Sequence, residues 1–330
     1  MSIKFSIKSV SIIIAIVVLS FYFLGVYWSF EPDRMNIKAM VTADAKADGV
    51  APVIGYTTTT ALIRVTEKLW NKPGGYLSND AMPPGAFLDD IPAWEFGVLE
   101  MVRDMALAMR QGFSRSQSQS LVNQQLKEAQ PRFNIDSTRW AFPSAESEYK
   151  KGVQALYQYR KELTDPKSQK AQFYTRADNL RAWLQQVEKR LGSYSQRLSA
   201  SVGHDQSNTD LAGDSGAQQS TATASHVMLK TSWWKIDDEF YEARGAAWAL
   251  LHLLKAIEID FDGVLAKKNA KVSLQQIIKE LESSQQTVWS PMILNGSGFG
   301  FVANHSLVMA NYISRANAGI IDLNELLSKG

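Results

Sequence analysis

DDEFYEARGAAWALLHLLKAIEIDF, residues 237–261, is the stretch that decides the fold of this chain. From Ala247 onward its apolar side chains cover nearly the whole circumference of a helix, and a helix of that kind packs inside a protein core. The uncharged middle, residues 245–254, is too short to cross a membrane. The stretch therefore predicts a central helix around which a mainly α-helical body is built.

A second stretch, residues 173–198, repeats apolar residues at alternating steps of four and three. Such a heptad pattern is typical of a long helix that buries one stripe of side chains. Two interpretations are open: the stripe packs inside the chain's own bundle, or it forms a coiled-coil seam with a second chain. The candidate seam residues are Leu180, Leu184, Val187 and Leu191. Further helical patterns at 272–288, 304–317 and 320–328 support the mainly α class.

An apolar run near the start, residues 9–30, contains no charged residue and is long enough for a membrane-spanning helix. Lys4 and Lys8 precede it, so the positive-inside rule predicts a cytoplasmic N-terminus and an extracytoplasmic body. The aromatic residues at its exit are typical of a membrane interface, and the run exceeds the apolar region of a cleaved signal peptide. We expect a single-pass anchor that contacts the lipid bilayer through residues 9–30; a cleaved signal is the alternative.

The composition of the chain changes along its length and predicts five segments. Residues 1–30 form a cytoplasmic stub and the anchor, 31–53 a tether, 54–202 a helical region, 203–226 a flexible linker or insertion, and 227–330 a second helical region. The linker is predicted as disordered because its small and polar residues bury too little apolar surface to offset the entropy of ordering. The two helical regions are either separate domains or parts of one bundle.

Charge and cysteine content narrow the functions that the chain can have. It contains 35 basic and 33 acidic residues, so no strong overall charge favours binding to nucleic acid. It contains no cysteine, so an exported body must be stable without disulfides. Its four histidines are far apart in the sequence, and we expect neither a metal site nor a cofactor. These properties suit a bacterial cell envelope.

The acidic start of the central helix is the best candidate for a catalytic site. Asp238, Glu239 and Glu242 are the candidate catalytic residues, because paired carboxylates can divide acid and base roles when their pKa values differ. Tyr241 and Arg244 lie beside them as candidate ligand-binding residues. The alternative interpretation is structural, since acidic residues at a helix N-terminus cap the helix and complement its dipole.

A glycine-rich turn, NGSGFG at 295–300, precedes the last helical pattern. Its spacing differs from that of the known phosphate-binding loops, so we expect no nucleotide there. Asn304 and His305 follow the turn and are further candidates for ligand binding. Folding has to bring other groups to them before they can form a site.

Three stretches resemble a known family: GYLSND at 75–80 with PPG at 83–85, DDEFYEARG at 237–245, and NGSGFGFVANHSLVMANYISRAN at 295–317. The resemblance is to a proteobacterial family of single-pass inner-membrane proteins of unknown function, and it covers nearly the whole chain. It implies an inner-membrane anchor and a periplasmic body. It implies no activity and no catalytic residues.

Two expectations about function follow. The first is a membrane-anchored periplasmic protein with a structural or scaffolding role in the cell envelope, whose partner is an envelope protein or a second copy of the chain. It is motivated by the anchor, the heptad stripe and the lack of a complete catalytic constellation. The second is a tethered hydrolase or binding protein that acts on peptidoglycan or another envelope glycan through the carboxylates at 237–244.

Overall fold

The computed structural model describes residues 7–116, 121–167, 170–207, 226–290 and 292–329, and most of these residues are helical. The α-helices in these ranges are α1 (Ile7–Trp28), α2 (Ile37–Asp48), α3 (Tyr56–Glu67), α4 (Asp90–Ala108), α5 (Gln124–Phe133), α6 (Ala145–Thr164), α7 (Ala177–Ser199), α8 (Ile236–Asp260), α9 (Asp262–Lys267), α10 (Lys271–Ser284) and α11 (His305–Ser328). Two four-residue strands, β1 (His204–Ser207) and β2 (His226–Leu229), pair antiparallel. The predicted mainly α class is confirmed.

The centre of the fold is the pair formed by α4 and α8, which pack closely against each other. Two glycines make this approach possible. A Cβ atom on Gly97 would lie 1.9 Å from the carbonyl oxygen of Glu242, and one on Gly245 would lie 2.1 Å from the carbonyl oxygen of Trp94. Any larger residue at either position would force the two helices apart.

The two central helices run parallel, so both begin at the same end of the body. The ring of Trp94, in the second turn of α4, lies against the ring of Trp248 in the middle of α8, with centroids 5.2 Å apart. Just past their ends, the rings of Phe113 and Phe261 are also 5.2 Å apart. We call the end where α4 and α8 begin the near end, and the end at Phe113 and Phe261 the far end. Residues 243–254 of α8 are all buried, as predicted for the core helix.

The heptad stripe lies on α7 and packs against α11 of the same chain. Its residues Leu180, Leu184, Val187 and Leu191 are fully buried. In the structure the stripe packs inside the chain's own bundle, because α11 of the same chain already covers these side chains. A partner that binds the folded chain therefore has to use another surface.

The segment predicted as a tether, residues 31–53, contains the helix α2 packed against the body. Asn36 caps this helix, since its side chain accepts a hydrogen bond of 3.1 Å from the backbone N–H of Ala39. On its inner face Val41 and Ala45 are buried. This segment thus contains a helix that packs one face, Ile37, Val41, Asp44 and Ala45, onto the core, rather than an extended linker.

The predicted flexible linker at 203–226 lies mostly outside the described residues. Its described ends form the ladder in which His204 pairs with Leu229 and Ser207 pairs with His226. One hydrophobic cluster contains residues from both sides of this linker, from α3 to α7 as well as from α8 to α11. The boundaries proposed between domains remain predictions.

Candidate functional site

The apolar helix α1 joins the body at the near end. Among the described residues α1 alone is long and apolar enough to cross a membrane, with a mean hydropathy of 2.5 over Val10–Trp28. Its last turn packs against the loop before α4: a Cβ atom on Gly25 would lie 3.6 Å from Cβ of Pro84. Trp28 lies so close to Gly74 that a Cβ atom there would come within 2.8 Å of the indole.

The chain that leaves α1 is bound to α8 by two polar contacts. Nε of Arg244 donates hydrogen bonds of 2.7 Å to both carboxylate oxygens of Glu31. Four residues further on, the backbone N–H of Met35 donates to Nε2 of the buried His252 at 2.8 Å. Because Nε2 accepts this bond, the ring proton is on Nδ1, which donates to the carbonyl oxygen of Trp248 at 2.6 Å.

Burial holds His252 in this neutral form by lowering its pKa to about 4. Arg244, predicted as a ligand-binding residue, is mostly buried and already occupied: besides Glu31, its Nη1 donates to the carbonyl oxygen of Ser284 at 2.9 Å. Arg244 therefore joins three elements, namely the chain after α1, the start of α8 and the end of α10. A ligand that used its guanidinium would have to compete with these contacts.

Four aspartates meet at the near end because the two parallel helices begin there side by side. Asp89 and Asp90 start α4, and Asp237 and Asp238 lie in the first turn of α8. Burial, with the repulsion of the other three, raises the pKa of Asp90 to about 7. Burial and the charges of Asp89 and Asp237 also raise the pKa of Asp238. Asp90 is thus a carboxyl group that exchanges its proton near neutral pH.

The other two candidate carboxylates are held by a single arginine from α7. Arg197 donates to Glu242 through Nη2 at 2.6 Å and through Nη1 at 3.1 Å. Its Nη1 also lies 2.9 Å from a carboxylate oxygen of Glu239. Burial raises the pKa of Glu239 against the opposing charge of Arg197. Glu239 and Glu242 therefore hold α7 and α8 together, and neither is a free base.

Tyr241 lies between the aspartates and the junction with α1. Burial and the charge of Asp90 raise the pKa of its hydroxyl above the usual value. The phenol therefore stays protonated at any physiological pH and is available as a hydrogen-bond donor. Its position at the near end agrees with the predicted neighbourhood of Asp238 and Arg244.

Asn304 has a structural role in the turn before α11. Its side chain accepts a hydrogen bond of 2.9 Å from the N–H of Leu307, which caps the helix. Its Nδ2 donates to the carbonyl oxygen of Gly296 at 2.7 Å and to Oδ1 of Asn295 at 2.9 Å. Asn304 thus closes the glycine-rich turn, and this use of all its polar atoms leaves little capacity for a ligand.

His305 lines a cavity at the near end between α8, the segment after α10 and the start of α11. The cavity has a volume of about 340 Å³, and its wall includes Phe240, Arg244, Trp289 and Tyr312. Nδ1 of His305 accepts a hydrogen bond of 3.1 Å from the N–H of Leu294. The structure thus brings Arg244 and His305 to one cavity, although they are 61 residues apart in the sequence.

The loop that contacts α1 is fixed by an ion pair that sequence reasoning did not single out. Nζ of Lys72 lies 2.7 Å from the carboxylate of Glu95, and both side chains are completely buried. Glu95 also accepts hydrogen bonds from the N–H groups of Leu77 and Ser78, at 2.9 and 2.8 Å. A glutamate inside the apolar pattern around Trp94 was the available signal, since a charged residue on a buried helix face needs a partner.

Asp89, Asp90, Glu31 and Arg197 were also missed as members of the near end. Asp89 and Asp90 stand at the start of α4, and only the parallel packing of α4 with α8 places them beside Asp237. Within the described residues, no group of three or more His, Cys, Asp or Glu side chains is arranged to hold a metal ion. The site is therefore best described as a charged junction beside a cavity.

Comparisons with known proteins give a family for this chain but no activity. A family model described as an uncharacterised protein conserved in bacteria, DUF2333, matches residues 1–330. No curated protein matches, and no solved structure matches. The resemblance found in the sequence is thus confirmed as far as a bacterial family of unknown function.

Proposed function

The chain belongs to the DUF2333 family of bacterial proteins, and from this premise we propose that it is a membrane-anchored scaffold of the cell envelope. In this proposal α1 spans the inner membrane, the N-terminus is cytoplasmic and the body is periplasmic. The body has a structural role and binds another envelope protein or a second copy of the chain. The proteobacterial membership implied by the resemblance is part of the proposal.

The observation that carries the proposal is the stiff connection between α1 and the body. Trp28 packs on Gly74, Glu31 pairs with Arg244, and the N–H of Met35 bonds to His252. A flexible tether would let a body search for a substrate in any orientation. A fixed connection instead presents the same surfaces of the body at a constant height and angle, which suits a protein that positions partners.

The state of the candidate catalytic and ligand-binding residues supports the same conclusion. Glu239 and Glu242 are paired with Arg197, and Asn304 closes a turn. The cavity at the near end, with Trp289 exposed at its rim, is a concave and partly apolar surface that a partner segment can enter. We therefore assign the partner to this cavity rather than to the buried stripe of α7.

The orientation is tested by the accessibility of an introduced cysteine, since the chain has none of its own. Val272 is exposed at the start of α10, far from α1. In cells with a permeabilised outer membrane, a membrane-impermeant maleimide is expected to label Val272→Cys in the full-length protein. Labelling that appears only after the inner membrane is broken would place the body in the cytoplasm and refute the proposal.

The scaffold role is tested by photo-crosslinking in living cells. A photoreactive amino acid at position 289 is expected to capture one envelope protein reproducibly and in near-stoichiometric amount. The same amino acid at position 272 is the control, because that position is also exposed but lies away from the cavity. Equal, unspecific capture at both positions would show that the cavity has no dedicated partner.

The alternative, a tethered hydrolase of an envelope glycan, is favoured by one observation: the raised pKa values of Asp238 and Asp90. A carboxyl group whose pKa is raised is suited to act as a general acid. If this is the function, Asp238→Asn abolishes the release of fragments from purified peptidoglycan while the thermal stability of the full-length protein is unchanged. Wild-type protein that releases no fragments would exclude the alternative.

A further inference from the structure

Large apolar side chains are exposed on the loops of the near end. Met82 and Phe87 lie in the loop before α4, with exposed fractions of 74% and 80%. Trp233 and Trp234 directly precede α8 and are also exposed. The surface of a soluble protein rarely displays several large aromatic residues together, and such a group indicates an interaction surface.

A third group belongs to the glycine-rich turn before α11. Phe299 and Phe301 are fully exposed there. The turn lies beside the first turns of α8, since the ring of His305 is 6.5 Å from the ring of Phe240. The loop before α4, the segment before α8 and this turn therefore all lie at the near end, although they come from three distant parts of the sequence.

The position of these loops along the axis of α1 indicates which partner contacts their exposed side chains. Pro84 and Leu88 contact α1 at Gly25, three residues before the helix ends at Trp28. At a rise of 1.5 Å per residue, this contact lies about 4.5 Å below the end of α1. If α1 spans a bilayer, the loop that carries Met82 and Phe87 is at the depth of the interface, where aromatic side chains are stable.

From this placement we propose that the near end is seated in the membrane interface, with Met82, Phe87, Trp233, Trp234, Phe299 and Phe301 as the contact residues. The proposal rests on the membrane anchor of the preceding subsection and goes beyond it. The partner of this surface is the outer leaflet of the membrane that α1 crosses. The body is then held by its loops as well as by one helix.

The charges of the near end define the kind of contact. Asp89, Asp90, Asp237 and Asp238 lie at the same end, and anionic headgroups would repel them. The seat therefore depends on the insertion of apolar side chains and not on attraction to anionic lipids. Its formation is expected to need no anionic lipid and to be weaker, not stronger, in partly anionic bilayers.

The buried ion pair between Lys72 and Glu95 helps to fix the loop before α4, and a fixed loop can hold an apolar side chain in contact with the membrane. Glu95 binds the N–H groups of Leu77 and Ser78 and so fixes the beginning of the loop. The contacts of Pro84 and Leu88 with Gly25 fix its end. A loop fixed at both ends can keep Phe87 pointing away from the body at little further cost in conformational entropy.

The proposal is tested in the full-length protein by depth-dependent quenching. Single cysteines replace Phe87, Val17 within α1, or Val272 at the far end, where Lys271 pairs with Asp262 at 2.6 Å. Each variant carries an environment-sensitive fluorophore and is reconstituted into phosphatidylcholine vesicles, with or without phosphatidylglycerol. Nitroxide-labelled lipids quench the label from a shallow or a deep position in the bilayer.

For Phe87→Cys we expect a blue-shifted emission and strong loss of fluorescence with the shallow nitroxide. The Val17→Cys label should be quenched most by the deep nitroxide, and the Val272→Cys label by neither. Quenching at position 17 but not at position 87 would contradict the proposed contact of the near end with the membrane interface. It would leave the proposed membrane anchor unaffected. No quenching at position 17 would refute the anchor itself.

Discussion

The two ends of the central helix pair are built from the same two helices but by opposite chemistry. At the far end, the rings of Phe113, Phe173 and Phe261 contact one another with centroids 5.2–5.9 Å apart. At the near end, four aspartates and exposed aromatic residues surround the junction with α1. The far end is a largely buried aromatic cluster that stabilises the fold, whereas the near end holds charges and exposed apolar surface that a stable fold alone does not need.

The position of His252 shows how the two ends are connected. The residue is on the buried part of α8, and it binds the N–H of Met35 between them. Glu31 and Met35 attach the chain after α1 to α8 over about two turns of that helix. Contacts made by α1 are therefore transmitted directly to the core helix and not to a loose peripheral element.

The largest contrast is expected from removing one aromatic side chain at each end. Phe261→Ala should lower the free energy of unfolding by about 3–5 kcal/mol, because it removes a fully buried ring from the cluster with Phe113 and Phe173. Phe87→Ala should change it by less than about 0.5 kcal/mol, since that side chain is exposed. Denaturant unfolding of the full-length protein in detergent measures both, and equal losses would contradict the division between the two ends.

A second test uses the dependence of stability on pH at the junction. The pKa of His252 is about 4 in the folded chain and 6.5 in the unfolded chain. Between these values the unfolded state binds the extra proton, so the folded state should lose up to about 3 kcal/mol as the pH falls from 6.5 to 4. A protonated ring could no longer accept the hydrogen bond from Met35.

His252→Gln is the control for this effect, because it removes the titrating ring and keeps a side chain that can accept a hydrogen bond. The free energy of unfolding of both proteins is measured at several pH values between 4 and 7. At each pH, the difference between the wild-type protein and the variant gives the contribution of His252. We expect that difference to change steadily over this range. A constant difference would show that His252 does not titrate with the junction.

The smallest effect is expected from the aspartates of the near end. The pKa of Asp90 is about 7 in the folded chain and 3.8 in the unfolded chain, so the folded state loses stability as the pH rises between these values. The full difference would correspond to about 4 kcal/mol, but Asp90 is only half-buried and solvent screens its repulsion. Asp90→Asn should therefore stabilise the protein by roughly 1–2 kcal/mol at pH 8 and not at all near pH 4. Thermal unfolding of the wild-type protein and the variant at both pH values measures this stabilisation. An equal stabilisation at pH 4 and pH 8 would indicate a cause other than the charge of Asp90.

The sequence predicted those parts of the fold that depend on local patterns. The helix predicted at about 237–261 is α8, Ile236–Asp260, and the one predicted at 272–288 is α10, Lys271–Ser284. The patterns at 304–317 and 320–328 are one helix, α11, because nothing between them breaks the backbone. Helical periodicity is a property of neighbouring residues, so it can be read without knowledge of the tertiary structure.

The segment 31–53 shows where that reasoning was insufficient. Its small residues, among them Ala39, Ala43, Ala45 and Ala47, gave little amphipathic pattern and suggested a tether. In the structure the same residues form α2, which is stabilised by the Asn36 cap and by packing on the core. Most helical stability in proteins comes from such tertiary packing, which a local pattern does not contain.

Even less of the candidate site could be predicted from local sequence patterns. The carboxylates at 237–242 were visible in the sequence, but their partners Arg197, Asp89 and Asp90 were not, because they are more than forty residues away. A stripe such as Leu180 to Leu191 has the same sequence whether it is covered by α11 or by a second chain. Which partner is present depends on the packing of distant helices.

By itself the sequence determined the helical class, the apolar helix α1 and the charged start of α8, because each of these depends on residues close together in the chain. Only the tertiary structure decided that α4 and α8 run parallel, with Gly97 and Gly245 allowing their backbones to touch. That packing brings four aspartates, the cavity and the exposed aromatic loops to the end where α1 joins the body. Interactions between distant segments depend on the whole fold, and no local pattern contains them.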